Sequence, residues 1–250
     1  MPDEKSWHGC LLAYYKFHKS VKEKIKKDLQ KNIVPAENQN IGDYFPRGGG
    51  NGIRVLFVGN SITKHAPKPE IGWTRDCGMA ASCLEKDYVH LTVEKIKQYD
   101  PQVNFSILQV ANFERNFETF DIQKLYKPAI DYKADIIIMF FGTNVDKKYS
   151  EIENPEIKFG DKYEELRNAL NSHGAATVIH GQCFYIRSVI NAEKKAVAER
   201  LGDTYVELGD IVTREDTHGD FNHPGDKGMQ EISDLFFNAI EPTLKRLTGK

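Results

Sequence analysis

The sequence lacks the marks of several protein classes. Among 250 residues there are four cysteines, Cys10, Cys77, Cys83 and Cys183, and none of them are in Cys-x-x-Cys spacing. A disulfide scaffold or a thiolate metal cluster is therefore not indicated, and no metal or cofactor is called for. No apolar run approaches the roughly 18 residues that a membrane span requires; the longest, Ile136 to Phe141, has the length of a strand. An excess of one charge is missing too. Lysine and arginine total 34 against 36 acidic residues, a formal net charge of -2, so no global field points to nucleic acid or an acidic membrane. The N-terminus, Met1-Pro-Asp-Glu-Lys, has no basic start followed by an apolar stretch and a small-residue cleavage site. The expectation is a cytoplasmic protein. Internal repeats and low-complexity segments are also missing.

What is present is a globular composition, 40% hydrophobic and 28% charged, long enough for one α/β domain with an appendage. Residues 1–50 read as an N-terminal lysine-rich helical segment and linker, and 51–250 as the main domain. Tyr14, Phe17, Val21, Ile25 and Leu29 recur in steps of three or four along one helical face. The opposite face carries Lys16, Lys19, Lys22, Lys24, Lys26 and Lys27. Such a helix either packs on the main domain with a solvated lysine face or meets a partner or a membrane surface. The polar stretch that ends in Gly48-Gly49-Gly50-Asn51-Gly52 reads as a flexible link, because no Gly-Lys-Ser/Thr follows to make a phosphate loop.

Beyond Gly52, strands and helices alternate. Strands are predicted over 53–58, 103–110, 134–141, 176–182 and 203–207, and helices over 87–99, 163–171, 189–200 and 226–247. Alternation of this kind gives a parallel sheet covered on both faces, a flavodoxin-like three-layer α/β/α sandwich. Ligands in such sheets bind beyond the carboxyl ends of the strands.

Three of those ends carry reactive residue types. Ile53–Val58 empties into Gly59-Asn60-Ser61-Ile62, which puts a serine at the rim of the sheet, where it either serves as a nucleophile or caps the next helix. Phe140-Phe141-Gly142-Thr143-Asn144 ends in an asparagine that either donates to a developing oxyanion or closes an Asx-turn. Asp220-Phe-Asn-His223-Pro-Gly allows a carboxylate to fold back on Nδ1–H of His223, leaving Nε2 as a base. The alternative is a helix-capping loop with an incidental histidine. His180, inside a predicted strand, reads as a satisfied core histidine.

In order and spacing, these blocks resemble the SGNH (GDSL-like) hydrolase superfamily. Gly59-Asn60-Ser61-Ile62 is similar to its first block, Gly142-Thr143-Asn144 to its third, and Asp220-x-x-His223 to its fifth. The likeness covers about residues 53–247. It implies the SGNH hydrolase fold and a serine esterase working through an acyl-enzyme, with Ser61 as nucleophile, His223 as general base and then acid, and Asp220 as the orienting carboxylate. The oxyanion hole would comprise the Ser61 N–H and the Asn144 side chain.

Two departures stand out. Asn60 occupies the place of the usual aspartate. The loop Ala111-Asn112-Phe113-Glu114-Arg115-Asn116 has no glycine where the family places a third oxyanion donor. The backbone N–H near Glu114 is the candidate replacement, and a bulky residue there narrows the acyl side toward small acyl groups. Otherwise the hole is incomplete and activity low, or Glu114 and Arg115 form a surface ion pair with no catalytic role. Gly78 is a further candidate donor if the stretch after Ser61 folds back over it. In that same stretch, Trp73 either stacks on a sugar and Arg75 binds a carboxylate, or both belong to a packed lid. The expected substrate is a small-molecule or glycan ester, acetyl for preference. Lysophospholipase or thioesterase activity, and a silent glycan- or protein-binding domain, are the alternatives. The oligomeric state is not legible.

Overall fold

The computed structural model describes residues 43–250. The helix expected over 14–29 lies outside the described residues. The main unit takes in the described residues up to His65 and from Cys77 to Lys250, and is built on a six-stranded sheet. Its strands are β1 (Tyr44–Pro46), β2 (Arg54–Gly59), β3 (Asn104–Gln109), β4 (Ile136–Phe140), β5 (Thr177–Gly181) and β6 (Thr204–Val206). They lie in the order β1-β3-β2-β4-β5-β6. All neighbours are parallel except β1, which runs antiparallel to β3. Val55 to Val58 and Ile136 to Met139 are all fully buried, as continuous apolar strands are when helices cover both faces.

The helices are α1 (Tyr88–Ile96), α2 (Ala111–Asn116), α3 (Ile122–Leu125), α4 (Lys127–Asp131), α5 (Phe159–Leu170), α6 (Ser188–Leu201) and α7 (Asp226–Thr248). Side chains alternate across a strand, so Leu56, Val58, Ile137 and Met139 face one layer, where Phe113, Phe159, Tyr163, Leu166, Ile190 and Val197 complete a core. On the other face Phe57, Tyr88, Phe140 and Phe236 form a ring cluster, with centroids 5.3–6.1 Å apart, beneath the packed pair α1 and α7. The expected three-layer sandwich is present, and the strands and helices predicted beyond Gly52 are found near their predicted bounds.

The stretch before the domain differs from expectation. Residues 44–46 are the edge strand β1, in register with Ser106–Leu108, and Arg47 and Gly48 N–H both donate to the Phe105 carbonyl. A Cβ on Gly50 would lie 2.0 Å from the Gln102 carbonyl oxygen. Gly48 and Gly50 allow close backbone approach to the start of β3, so the part of the expected link that is described, from residue 43 onward, is packed on the sheet edge. The part over 32–42 lies outside the described residues.

The chain leaves β2 to form β3 on one side and later β4 on the other. The order of strands therefore reverses at β2, and the crevice at its carboxyl end is where this class of sheet receives ligands. Gly59 pairs with Gln109 and with Phe140, so the chain after all three strands emerges at one sheet edge.

Residues 66–76 belong to a separate small unit. They contain a 3-10 turn at Pro69–Ile71 and an antiparallel bridge between Lys68 and Trp73.

Candidate active site

Ser61 sits on a turn stitched from within. Asn60 accepts from the N–H groups of Thr63 and Lys64 through its carbonyl, and from Ile62 N–H through its side chain. Thr63 Oγ1 in turn meets the Tyr88 hydroxyl at 2.8 Å. Glycine is obligatory at 59, since a Cβ there would lie 1.7 Å from Thr63 Oγ1. The segment 77–87 holds the turn from outside: Met79 N–H donates to the Ser61 carbonyl, and a Cβ on Gly78 would approach the Ile62 carbonyl to 2.4 Å. Gly78 N–H donates to Asp87 Oδ2 at 3.1 Å, so it is engaged elsewhere and is no oxyanion donor. Ser61 N–H has no acceptor among the described residues, which leaves it available.

His223 arrives from the loop before α7. Gly219 N–H donates to the His223 carbonyl and His223 N–H to that of Asp220, closing a tight loop in which Phe221 and Asn222 both have positive φ, 59° and 56°. His223 Nε2 lies 2.8 Å from Ser61 Oγ, a distance at which a base can take the serine proton.

The expected contact between Asp220 and Nδ1 is not made. Asp220 is exposed, while Nδ1 lies 2.9 Å from the Phe221 carbonyl oxygen and 3.0 Å from the Tyr185 hydroxyl. The left-handed backbone at Phe221 and Asn222 is the cause, because it turns that carbonyl toward the ring. A carbonyl oxygen has no hydrogen to give, so the Phe221 contact favours the tautomer with the proton on Nδ1, in which the Tyr185 oxygen accepts alongside and Nε2 presents its lone pair to Ser61. Burial is the main influence on His223 and lowers its pKa; the Phe221 carbonyl pulls the other way, and His65 nearby adds to the lowering. Burial also pushes the Tyr185 hydroxyl up to about 12.

Glu114 does not play its expected part. Ala111–Asn116 is a helix, α2, and the Glu114 N–H is spent on the Val110 carbonyl at 2.9 Å, so it cannot serve an oxyanion. The side chain is not in a surface ion pair with Arg115 either, being fully buried. Its Oε1 accepts from Asn60 Nδ2 at 3.1 Å, Gly142 N–H at 2.6 Å and Asn144 N–H at 3.2 Å, and Oε2 accepts from Asn144 Nδ2 at 2.6 Å. Asn144 keeps a second amide hydrogen, on a partly exposed side chain.

Trp73 and Arg75 lie in the small unit, where the guanidinium stands over the indole 5.6 Å from its centroid and Trp73 is buried. His180 is a fully buried core histidine bonded to Tyr163 and Asp203. Asp87-Tyr-Val-His90 repeats the Asp-x-x-His spacing, and here the carboxylate does meet Nδ1, at 2.7 Å. That pair caps α1.

Sequence reasoning missed the Glu114 carboxylate, Tyr185 and the Phe221 carbonyl. For the first, the step of four from Phe113 to Phe117 hints at a buried face, but among Asn112, Arg115 and Asn116 the glutamate itself reads like a surface residue. The other two carry none, since each depends on where a loop folds.

A scan of protein-family models gives no match, and neither does a comparison with curated protein sequences. Solved structures do match. A carbohydrate acetylesterase from Sinorhizobium meliloti is 13% identical, covering 76% of this chain and 99% of that one, with a TM-score of 0.53. A family two carbohydrate esterase from Clostridium thermocellum in complex with cellohexaose is 14% identical with a TM-score of 0.51, covering 79% of this chain and 66% of the other. This chain thus spans just under two thirds of the Clostridium enzyme's length. The fold is that of the SGNH hydrolases.

Proposed function

We propose that this protein is a serine ester hydrolase in which Ser61 is the nucleophile and His223 the base. The observation that carries the reading is the 2.8 Å approach of Ser61 Oγ to Nε2 of a histidine whose other nitrogen faces a carbonyl. Ser61 Oγ would bond to the acyl carbon as its proton passes to Nε2, and the carbonyl π electrons would move to the oxygen. The Ser61 N–H and the free Asn144 amide hydrogen are suited to that oxyanion. Return of the proton from His223 to the alkoxy oxygen releases the alcohol and leaves an acyl-serine. Water, deprotonated by the same nitrogen, then releases the acid. In this reading the Phe221 carbonyl takes the orienting role that the resemblance gives to Asp220.

An acetyl ester on a carbohydrate is the proposed substrate class. Its support is the likeness to a carbohydrate acetylesterase and to a family two carbohydrate esterase, which is a likeness of fold. One feature favours longer acyl chains instead. Ile186 and Phe221, adjacent in sequence to Tyr185 and close to His223, are exposed apolar side chains and would suit a hydrophobic substrate. A p-nitrophenyl ester series from acetyl to octanoyl separates the two, turnover falling with length on the first reading and rising on the second. The catalytic assignment is tested by Ser61→Ala on p-nitrophenyl acetate. Loss of turnover with an unchanged thermal melt is expected, and wild-type turnover in the variant would overturn it.

A further inference from the structure

Behind the two asparagines of the site lies a buried pair of opposite charges that shares one peptide group. The Phe141–Gly142 peptide gives its N–H to Glu114 Oε1 and takes a hydrogen bond on its carbonyl from Lys194 Nζ. Lys194 is fully buried on α6 and also donates to the Gly181 carbonyl, with Cys183 Sγ at 3.8 Å. Every partner of Glu114 is an N–H donor, so both carboxylate oxygens act as acceptors, as in the ionised form. A lone buried charge is costly, and each of these offsets the other through a polarised amide. Burial lowers the Lys194 pKa, while Cys183 and Glu114 raise it. Gly142 is adapted to this place: its φ is +127° and a Cβ would fall 2.8 Å from Cys183 Sγ.

We propose that Glu114 is a positioning residue, its carboxylate balanced by Lys194 across the Phe141–Gly142 peptide and holding Asn60 and Asn144 so that one Asn144 amide hydrogen stays free for the oxyanion. This rests on the hydrolase reading above. The carboxylate joins the nucleophile turn, through Asn60, to the loop after β4, through Gly142 and Asn144. Oε2 fixes one Asn144 hydrogen and thereby aims the other. A glutamine at 114 would keep the shape but must turn its NH₂ toward a donor at one of the two oxygen positions. Either way one clamp opens.

The experiment combines nuclear magnetic resonance of ¹⁵N-labelled protein with kinetics. In the wild type, the Gly142 backbone amide and the Asn144 side-chain amide should resonate downfield, as protons bonded to a carboxylate do. Glu114→Gln should move both signals upfield, and Lys194→Met should move that of Gly142. On p-nitrophenyl acetate, Glu114→Gln should lower kcat on the order of 10²-fold, the scale of one lost oxyanion donor, with KM nearly unchanged. Combined with Asn144→Ala it should cost clearly less than the product of the two single losses, because much of its effect passes through Asn144. A purely structural glutamate would instead give losses that multiply, and that result overturns the proposal. So do Gly142 and Asn144 signals at ordinary positions in the wild type, a measurement that stands even if Glu114→Gln fails to fold. Absence of Ser61-dependent turnover would sink the hydrolase reading alone, leaving the spectra to judge the clamp.

Discussion

His223 is oriented by oxygens that carry no formal charge, the Phe221 carbonyl and the Tyr185 hydroxyl. Where an aspartate holds the catalytic histidine, replacing it with asparagine costs about 10⁴ in kcat, because the wrong tautomer results. Here the tautomer is set by the main chain. Asp220→Ala should therefore keep kcat/KM within about tenfold of the wild type, far from the triad figure; a loss of several thousandfold would restore Asp220 to the orienting role. The pH profile belongs to the same nitrogen. On the proposed mechanism the base works when neutral, so kcat/KM should fall as pH drops through the His223 pKa. Since burial lowers that pKa from 6.5, the acid limb should have its midpoint below 6.5. A midpoint above 6.5 would mean that a negative partner stabilises the imidazolium.

At the scale of elements, the loops of the site stand on strand ends fixed by apolar packing. The tight glycines serve that purpose: at Gly181 a Cβ would lie 2.6 Å from the Phe236 ring, which lets α7 lie close on β5. Phe236 is fully buried and packs against Tyr88 of α1 and Phe140 of β4. Phe236→Ala should destabilise the protein by about 3–5 kcal/mol, and for a chain of this size each kcal/mol lowers Tm by roughly 2–4 °C. A thermal melt checks this, and an unchanged Tm would mean that α7 is not anchored through this ring. The element boundaries were legible because the apolar periods are strong, as in Ile136–Phe140 and in α7. The short helix α2 was not, because six residues contain too few turns to show a period, and its buried glutamate resembles a surface one in sequence.

Across the whole molecule, local composition and long-range placement divide the account. The alternation of apolar runs sets the parallel sheet, since a fully apolar strand must be covered on both faces. The sheet in turn places Gly59, Gln109 and Phe140 side by side, so Ser61 and Asn144 were traceable to one edge from their positions after strands. His223 was legible too, although Asp-x-x-His spacing proved a poor guide: it occurs twice, and the carboxylate meets the imidazole only in the pair that caps α1. Which groups surround those side chains was decided by tertiary structure alone. Glu114 reaches Asn60 across 54 positions of sequence and Tyr185 reaches His223 across 38. No local pattern encodes such contacts. They arise when the packing of layers brings separate loops to one crevice, and when a left-handed turn at Phe221 points a carbonyl where a carboxylate was expected.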